Sequence, residues 1–122
     1  MGQALEIVNK FYDLTNHRRQ TDGLAEMITD DMTFIGPLQT THGSDAYIAI
    51  NEQLLQFHAG VNMLHQFENG DHACSIYELF VTAPSGEKVA MPMSDLIRVD
   101  NGRIAEQRIY YDPREFAEKF GL

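Results

Sequence analysis

Residues 87–113, EKVAMPMSDLIRVDNGRIAEQRIYYDP, decide the fold. Asn101-Gly102 lies between two runs rich in Ile, Val, Leu and Tyr, and both turn residues tolerate positive φ. The stretch therefore reads as two long antiparallel strands folded over Asp100-Asn101-Gly102-Arg103. Strand alternation puts Val89, Met91, Met93, Asp95, Ile97 and Val99 on one face, so a carboxylate sits in the middle of an apolar row. Ionised and unpartnered, such a group would be too costly to bury. It must be neutral, hydrogen-bonded, or lining a cavity. Pro92 cannot donate to a central ladder, which marks a bulge or an edge at that point.

The 122 residues are 43% hydrophobic and contain no linker-like segment or internal repeat, which predicts a single domain over residues 1–122. Nine Lys and Arg against eighteen Asp and Glu give a formal charge of −9. That balance repels a phosphate backbone and an anionic bilayer alike and argues against nucleic-acid and membrane partners. A lone Cys74 excludes an intrachain disulfide, and no apolar run approaches spanning length, so a soluble cytoplasmic protein is expected. Met1-Gly2 opens like a myristoylation signal, but Glu6 stands where Ser or Thr belongs.

In chain order, Ala4, Ile7, Val8, Phe11 and Leu14 repeat at helical spacing. His17 is read as a cap of this first helix. Thr21 or Asp22 would cap a short second helix carrying Leu24, Met27 and Ile28. Met32 to Ile35 reads as a short strand ended by Gly36-Pro37 and followed by a polar loop. A third helix runs from Ser44 as N-cap, with Tyr47, Ile50, Leu54 and Phe57 on one stripe, to Gly60 as C-cap. His58 would then sit at its end, where a cation suits the dipole. Asn62 to Glu68 and His72 to Thr82 form a second hairpin over Asn69-Gly70, Pro84-Ser85-Gly86 makes the next turn, and Pro113 admits a short terminal helix. The order gives an α+β layout with helices on one face of a curved sheet, curvature that leaves space for a pocket between the layers. Both faces of the strand 72–82 are apolar, with Tyr77 and Leu79 on one and Ile76 and Phe80 on the other, which calls for a second subunit over the outer face.

Phe11-Tyr12, Thr33 to Pro37, His42 to Ala46, and above all Asp95 through Ile104 to Pro113 together resemble the SnoaL-like branch of the nuclear transport factor 2-like superfamily. The resemblance covers nearly the whole chain. It implies a cone-shaped α+β barrel, a strongly bent antiparallel sheet packed on three N-terminal helices around a pocket, often in homodimers that pack sheet against sheet. Its members include ketosteroid isomerase, polyketide cyclases, scytalone dehydratase, limonene epoxide hydrolase and non-catalytic binding modules. The isomerase pattern sets a protonated aspartic acid on the penultimate strand, a tyrosine on the first helix and an aspartate base after the first strand. By position Asp95 matches the acid, the tyrosine falls on Phe11 with Tyr12 one step round, and the base falls near Gly36. Two of the three parts are thus missing.

The expected pocket is lined by Phe34, Tyr47 and Leu54 on one side and by Met91, Met93 and Asp95 on the sheet. The resemblance selects Gln107, Ile109 and Tyr111 over Glu106, Arg108 and Tyr110 on the last strand, and Phe11, Tyr12, His58 and Met63 complete the wall. His65 shares parity with Met63 and Phe67, which puts an imidazole on the pocket wall or makes it a core or interface histidine. Asp95 and His65 are the candidate catalytic pair. No His/Asp/Glu set has metal-ligand spacing, no phosphate loop or nucleophile elbow is present, and Cys74 reads as a small buried hydrophobe, so no metal or cofactor is expected. Two functions remain: an isomerase, lyase or cyclase that exchanges protons with a small apolar molecule through Asp95 and a histidine or tyrosine, or a non-catalytic module that binds such a molecule or only dimerises.

Overall fold

The computed structural model describes residues 3–122, so Met1-Gly2 and the lipidation reading lie outside it. The elements are α1 (Gln3–Tyr12) continuing through a π turn (Asp13–His17), a 3-10 turn (Leu24–Met27), β1 (Ile28–Ile35), β2 (Thr40–His42), α2 (Ser44–Leu55), β3 (His58–Asn69), β4 (His72–Thr82), β5 (Lys88–Asp100), β6 (Arg103–Tyr110) and α3 (Arg114–Phe120). The strands form one bent, unclosed sheet ordered β2-β1-β6-β5-β4-β3. It is antiparallel except where β1 pairs with β6.

The hairpin that decides the fold forms as its sequence dictates. Asn101 and Gly102 take φ of 48° and 80°, so both central turn positions lie in the left-handed region. All six expected inward residues of β5 are buried, from Val89 through Asp95 to Val99. No bulge occurs at Pro92, because β4 and β5 stay in register from His72↔Arg98 to Thr82↔Lys88. The pairing of β5 with β6 begins at Ser94↔Tyr110, so Pro92 lies where β5 has a neighbour on one side alone. The missing N–H costs no ladder bond there.

Elsewhere the boundaries shift. Ile28 starts β1 instead of ending the short helix, which is a single 3-10 turn with Gly23, not Thr21 or Asp22, at its N-cap position. The polar loop after Pro37 contains the edge strand β2. Gly43, not Ser44, occupies the N-cap position of α2. That helix stops at Leu55, so Gly60 lies in β3 with φ 139° beside a register shift, and His58 is the buried first residue of a strand, not a helix cap.

Buried side chains of α1 and α2, among them Val8, Phe11 and Tyr47, pack on the inward residues of β4, β5 and β6. Phe120 of α3 meets Phe57 edge-on at 4.9 Å, and Lys119 pairs with Glu87 at 2.7 Å, which ties the C-terminal helix across the end of the sheet. Because Gly102 must hold φ 80°, Gly102→Val should destabilise the protein by about 1–2 kcal/mol in urea unfolding, the cost of forcing a β-branched residue into the left-handed region.

A buried carboxylate in an aromatic cavity

A cavity of about 740 Å³ lies between the helices and the sheet. From β5 it receives Met91, Met93 and Asp95; from β6 and its end, Gln107, Ile109 and Tyr111. The helical layer contributes Phe11, Tyr12, Tyr47 and Leu54, and Phe34 enters from β1. Exposed Leu38 and Leu122 mark its rim, while Asp95 is fully buried.

Asp95 is held by donors from three elements. Tyr12 of α1 donates its hydroxyl to Oδ2 at 2.7 Å, Tyr77 of β4 donates to the same oxygen at 3.1 Å, and the Gln107 amide of β6 spans Oδ2 at 2.9 Å and Oδ1 at 3.0 Å. Tyr47 of α2 donates to Gln107 Oε1, which leaves the amide N–H₂ turned toward the carboxylate. Burial pushes the Asp95 carboxyl up to about 6, and the hydrogen bonds from Gln107, Tyr12 and Tyr77 pull the other way. Burial first and the nearby carboxylate second raise Tyr12, Tyr47 and Tyr77, so these phenols stay protonated around neutrality. At pH 7 the centre is an anion surrounded by neutral donors, whereas the isomerase pattern has a neutral acid in this place.

The two departures from the isomerase pattern have different outcomes. Phe11 carries no hydroxyl, but its neighbour Tyr12 reaches Asp95 directly. Gly36 lines the cavity, and a Cβ there would lie 3.2 Å from Ile109 and 3.3 Å from the Phe34 ring, so the base position has no room for a carboxylate unless both neighbours move.

Neither His65 nor Met63 lines the cavity. The register of β3 against β4 shifts between Met63 and His65: Met63 pairs with inward Tyr77, whereas His65 pairs with outward Ile76. One extra residue, Leu64, reverses the alternation, so His65 and Phe67 are exposed on the outer face and Gln66 turns inward, donating to Ser75 at 3.1 Å. Parity with Met63 therefore does not bring His65 inside. His58 does line the cavity. Its Nε2 lies 3.3 Å from Asn16 Oδ1, its Nδ1 is buried with no partner among the described residues, and burial, then Arg19, lowers its pKa. Tyr77 is the donor to Asp95 that sequence reasoning missed. The register does hold a signal for it, since Tyr77 opposes Met93, one inward position from Asp95. Among the described residues no group of three His, Cys, Asp or Glu converges as metal ligands.

Residues 8–107 match the profile of the SnoaL-like domain. The chain belongs to the SnoaL-like domain family. No curated protein is similar to it in sequence. Among solved structures it resembles a nuclear transport factor 2-like protein of unknown function from Burkholderia pseudomallei, with TM-score 0.84, 21% identity and 100% of both chains covered. It also resembles a protein from Jannaschia provisionally named a SnoaL-like polyketide cyclase, with TM-score 0.84, 21% identity, and 98% of this chain and 92% of that one covered. A third is a hypothetical protein with a ketosteroid isomerase-like fold from Catenulispora acidiphila, solved in complex with trimethylamine, with TM-score 0.75, 20% identity, and 96% and 93% covered. At these identities the likeness establishes the fold of the family, and the site must be argued from its own residues.

The sign of the Asp95 shift fixes a stability profile. The folded carboxyl holds its proton up to about 6 while the unfolded one loses it near 3.8, so between those values the folded state binds more protons and stability falls as pH rises. Each pH unit is worth about 1.4 kcal/mol across that window, and because the unfolded carboxyl is already partly ionised at pH 4, the contribution lost between pH 4 and pH 7 is about 2 kcal/mol. Denaturant unfolding at both pH values should show that loss in the native protein relative to Asp95→Asn, in which the group no longer titrates.

Proposed function

We propose that the protein is a small acid/base enzyme of the isomerase, lyase or cyclase kind, acting on an apolar molecule through Asp95 and the tyrosines bonded to it. The observation that carries this reading is the pair of hydroxyls, Tyr12 and Tyr77, that donate to one buried carboxylate in an apolar cavity. A carboxylate whose pKa is about 6 can accept a proton at neutral pH and return it. Since Asp95 is fully buried, the proton passes through a tyrosine oxygen: the phenol takes a proton from the substrate as it hands its own to Asp95. No free phenolate forms, which accords with the raised pKa of both groups. Once Asp95 is protonated it no longer needs both hydroxyls, and one is free to donate to an oxyanion on the substrate. Tyrosine thus takes the place expected of His65. A reducing, cytoplasmic setting fits a chain with one cysteine.

Solvent-deuterium incorporation next to the carbonyl of apolar cyclic ketones, followed by NMR, tests the chemistry. Asp95→Asn should slow exchange by roughly two to four orders of magnitude, and Tyr12→Phe and Tyr77→Phe by less each, because the second hydroxyl remains. Ketones that bind without exchanging would instead support the alternative, a non-catalytic binding module.

We also propose a homodimer through the outer sheet face. Register places Phe67, Cys74, Leu96 and Arg108 in one outward row and His65, Ile76, Ser94 and Tyr110 in the next. Phe67 and Tyr110 are 56% and 57% exposed in the single chain, too much apolar surface on one sheet to leave in water without a reason. Sedimentation should give a dimer at micromolar concentration, and Phe67→Glu should shift it toward monomer without changing ligand binding in the cavity on the opposite face. A native monomer would remove the argument.

A further inference from the structure

We infer that the ligand enters the cavity as a cation: a protonated apolar amine whose ammonium group is held between the aromatic rings and the hydroxyl oxygens around Asp95. This rests on the placement of the functional centre at Asp95 proposed above and adds the charge of the molecule bound there. Three independent features carry it.

The first is charge. Asp95 is the one Asp, Glu, Lys or Arg among the described residues that line the cavity, and burial holds the lining His58 toward its neutral form, so the anion has no fixed countercharge in the wall. A buried charge is best compensated by an opposite one, and the wall leaves that place to the ligand.

The second is the direction of the hydrogen bonds. Tyr12 and Tyr77 spend their protons on Asp95, as does Gln107 its amide, while Tyr47 spends its own on Gln107. With Asp95 ionised, the three hydroxyl protons here are spent and this end of the cavity presents their oxygen lone pairs, with the second amide N–H of Gln107 the one donor left among these four side chains. A carboxylate or phosphate would meet one amide N–H beside a fixed anion that repels it, whereas an N–H group finds several acceptors.

The third is the wall. Rings follow one another from Phe34 to Tyr47 to Phe11 to Tyr12 to Tyr77, with centroid separations of 6.2, 6.2, 5.5 and 5.9 Å. A run of neighbouring rings beside a fixed anion suits an alkylammonium ion, since the ring quadrupole attracts the charge and the apolar ring surface accepts the alkyl groups. A net charge of −9 also raises the local concentration of cations around the protein.

Titration calorimetry with three probes of one shape tests this: cyclohexylmethylamine, cyclohexylmethanol and cyclohexanecarboxylate. At pH 8 the amine should bind roughly tenfold or more tightly than the alcohol, and the carboxylate most weakly. The preference should shrink at pH 5 as Asp95 takes a proton. The other titratable groups on the cavity are Tyr12, Tyr47, Tyr77 and Tyr111, all raised and neutral throughout this range, and His58, whose pKa is lowered. Asp95→Asn, with its fold checked by NMR, should show no preference at either pH, which separates Asp95 from His58. Should that variant fail to fold, the comparison of pH 8 with pH 5 in the native protein stands alone. An alcohol that binds as tightly as the amine, a preference that survives in Asp95→Asn, or an amine that does not bind overturns the inference. Asp95-dependent ketone exchange without amine preference overturns this inference alone. Amine preference without exchange leaves it standing and removes the acid/base reading.

Discussion

One buried negative charge organises this molecule. Asp95 on β5 draws a hydroxyl from α1, a hydroxyl from β4 and an amide from β6, and the last is fixed in turn by a hydroxyl from α2. Two helices and three strands are thereby joined through one carboxylate. Each donor gains more from an ionised acceptor than from a neutral one, and removing any one would leave part of the carboxylate's desolvation unanswered. The hydrophobic contacts around it would tolerate many packings. The hydrogen bonds tolerate few, because hydroxyl and amide must arrive within about 3 Å of the same two oxygens.

The network still leaves Asp95 with a pKa of about 6, above the ordinary range, and this follows from the choice of donors. Neutral hydroxyls and an amide offset desolvation without supplying a countercharge. An arginine in the same place would stabilise the anion further and fold more tightly around it, but it would also neutralise the cavity and lower the proton affinity of the carboxylate. The site keeps its charge available at the expense of stability near neutral pH, a conflict common where function and folding share a residue.

How much of this could be read from the chain depends on what fixed each register. On β5 the Asn101-Gly102 turn pins the strand at one end, and no bulge intervenes against β4, so alternation carried from Val99 to Val89 without error and found Asp95 among apolar neighbours. On β3 the same reasoning put His65 inside, and the extra residue at Leu64 put it outside. Leu64 is neither Gly nor Pro, so nothing local marks the bulge. The helix-end reading of His58, though not its place on the cavity, failed for a related reason: a helix read as continuing to Gly60 stops at Leu55, and propensity does not locate an end closed by the Gln56 backbone N–H on Gln53 and Leu54.

The tyrosines show a different limit. Phe11 and Tyr12 are adjacent on α1, and helical periodicity alone favours Phe11 as the inward residue because it continues the stripe from Val8. Both are buried, and both line the cavity. What distinguishes them is the partner across the core: the ring of Phe11 stands 6.2 Å from Tyr47, while the hydroxyl of Tyr12 extends to Asp95. A stripe defined by apolarity hides a polar atom at the end of an otherwise apolar ring, and Tyr77 is hidden in the same way on β4. Once Asp95 is known to be buried, however, the order of inference reverses. Its oxygens require donors, the pairing sets Tyr77 beside Met93 on the same face, and the nearest helix offers one hydroxyl. The apolar pattern places the carboxylate, and the need to satisfy that carboxylate then identifies the tyrosines that the pattern conceals.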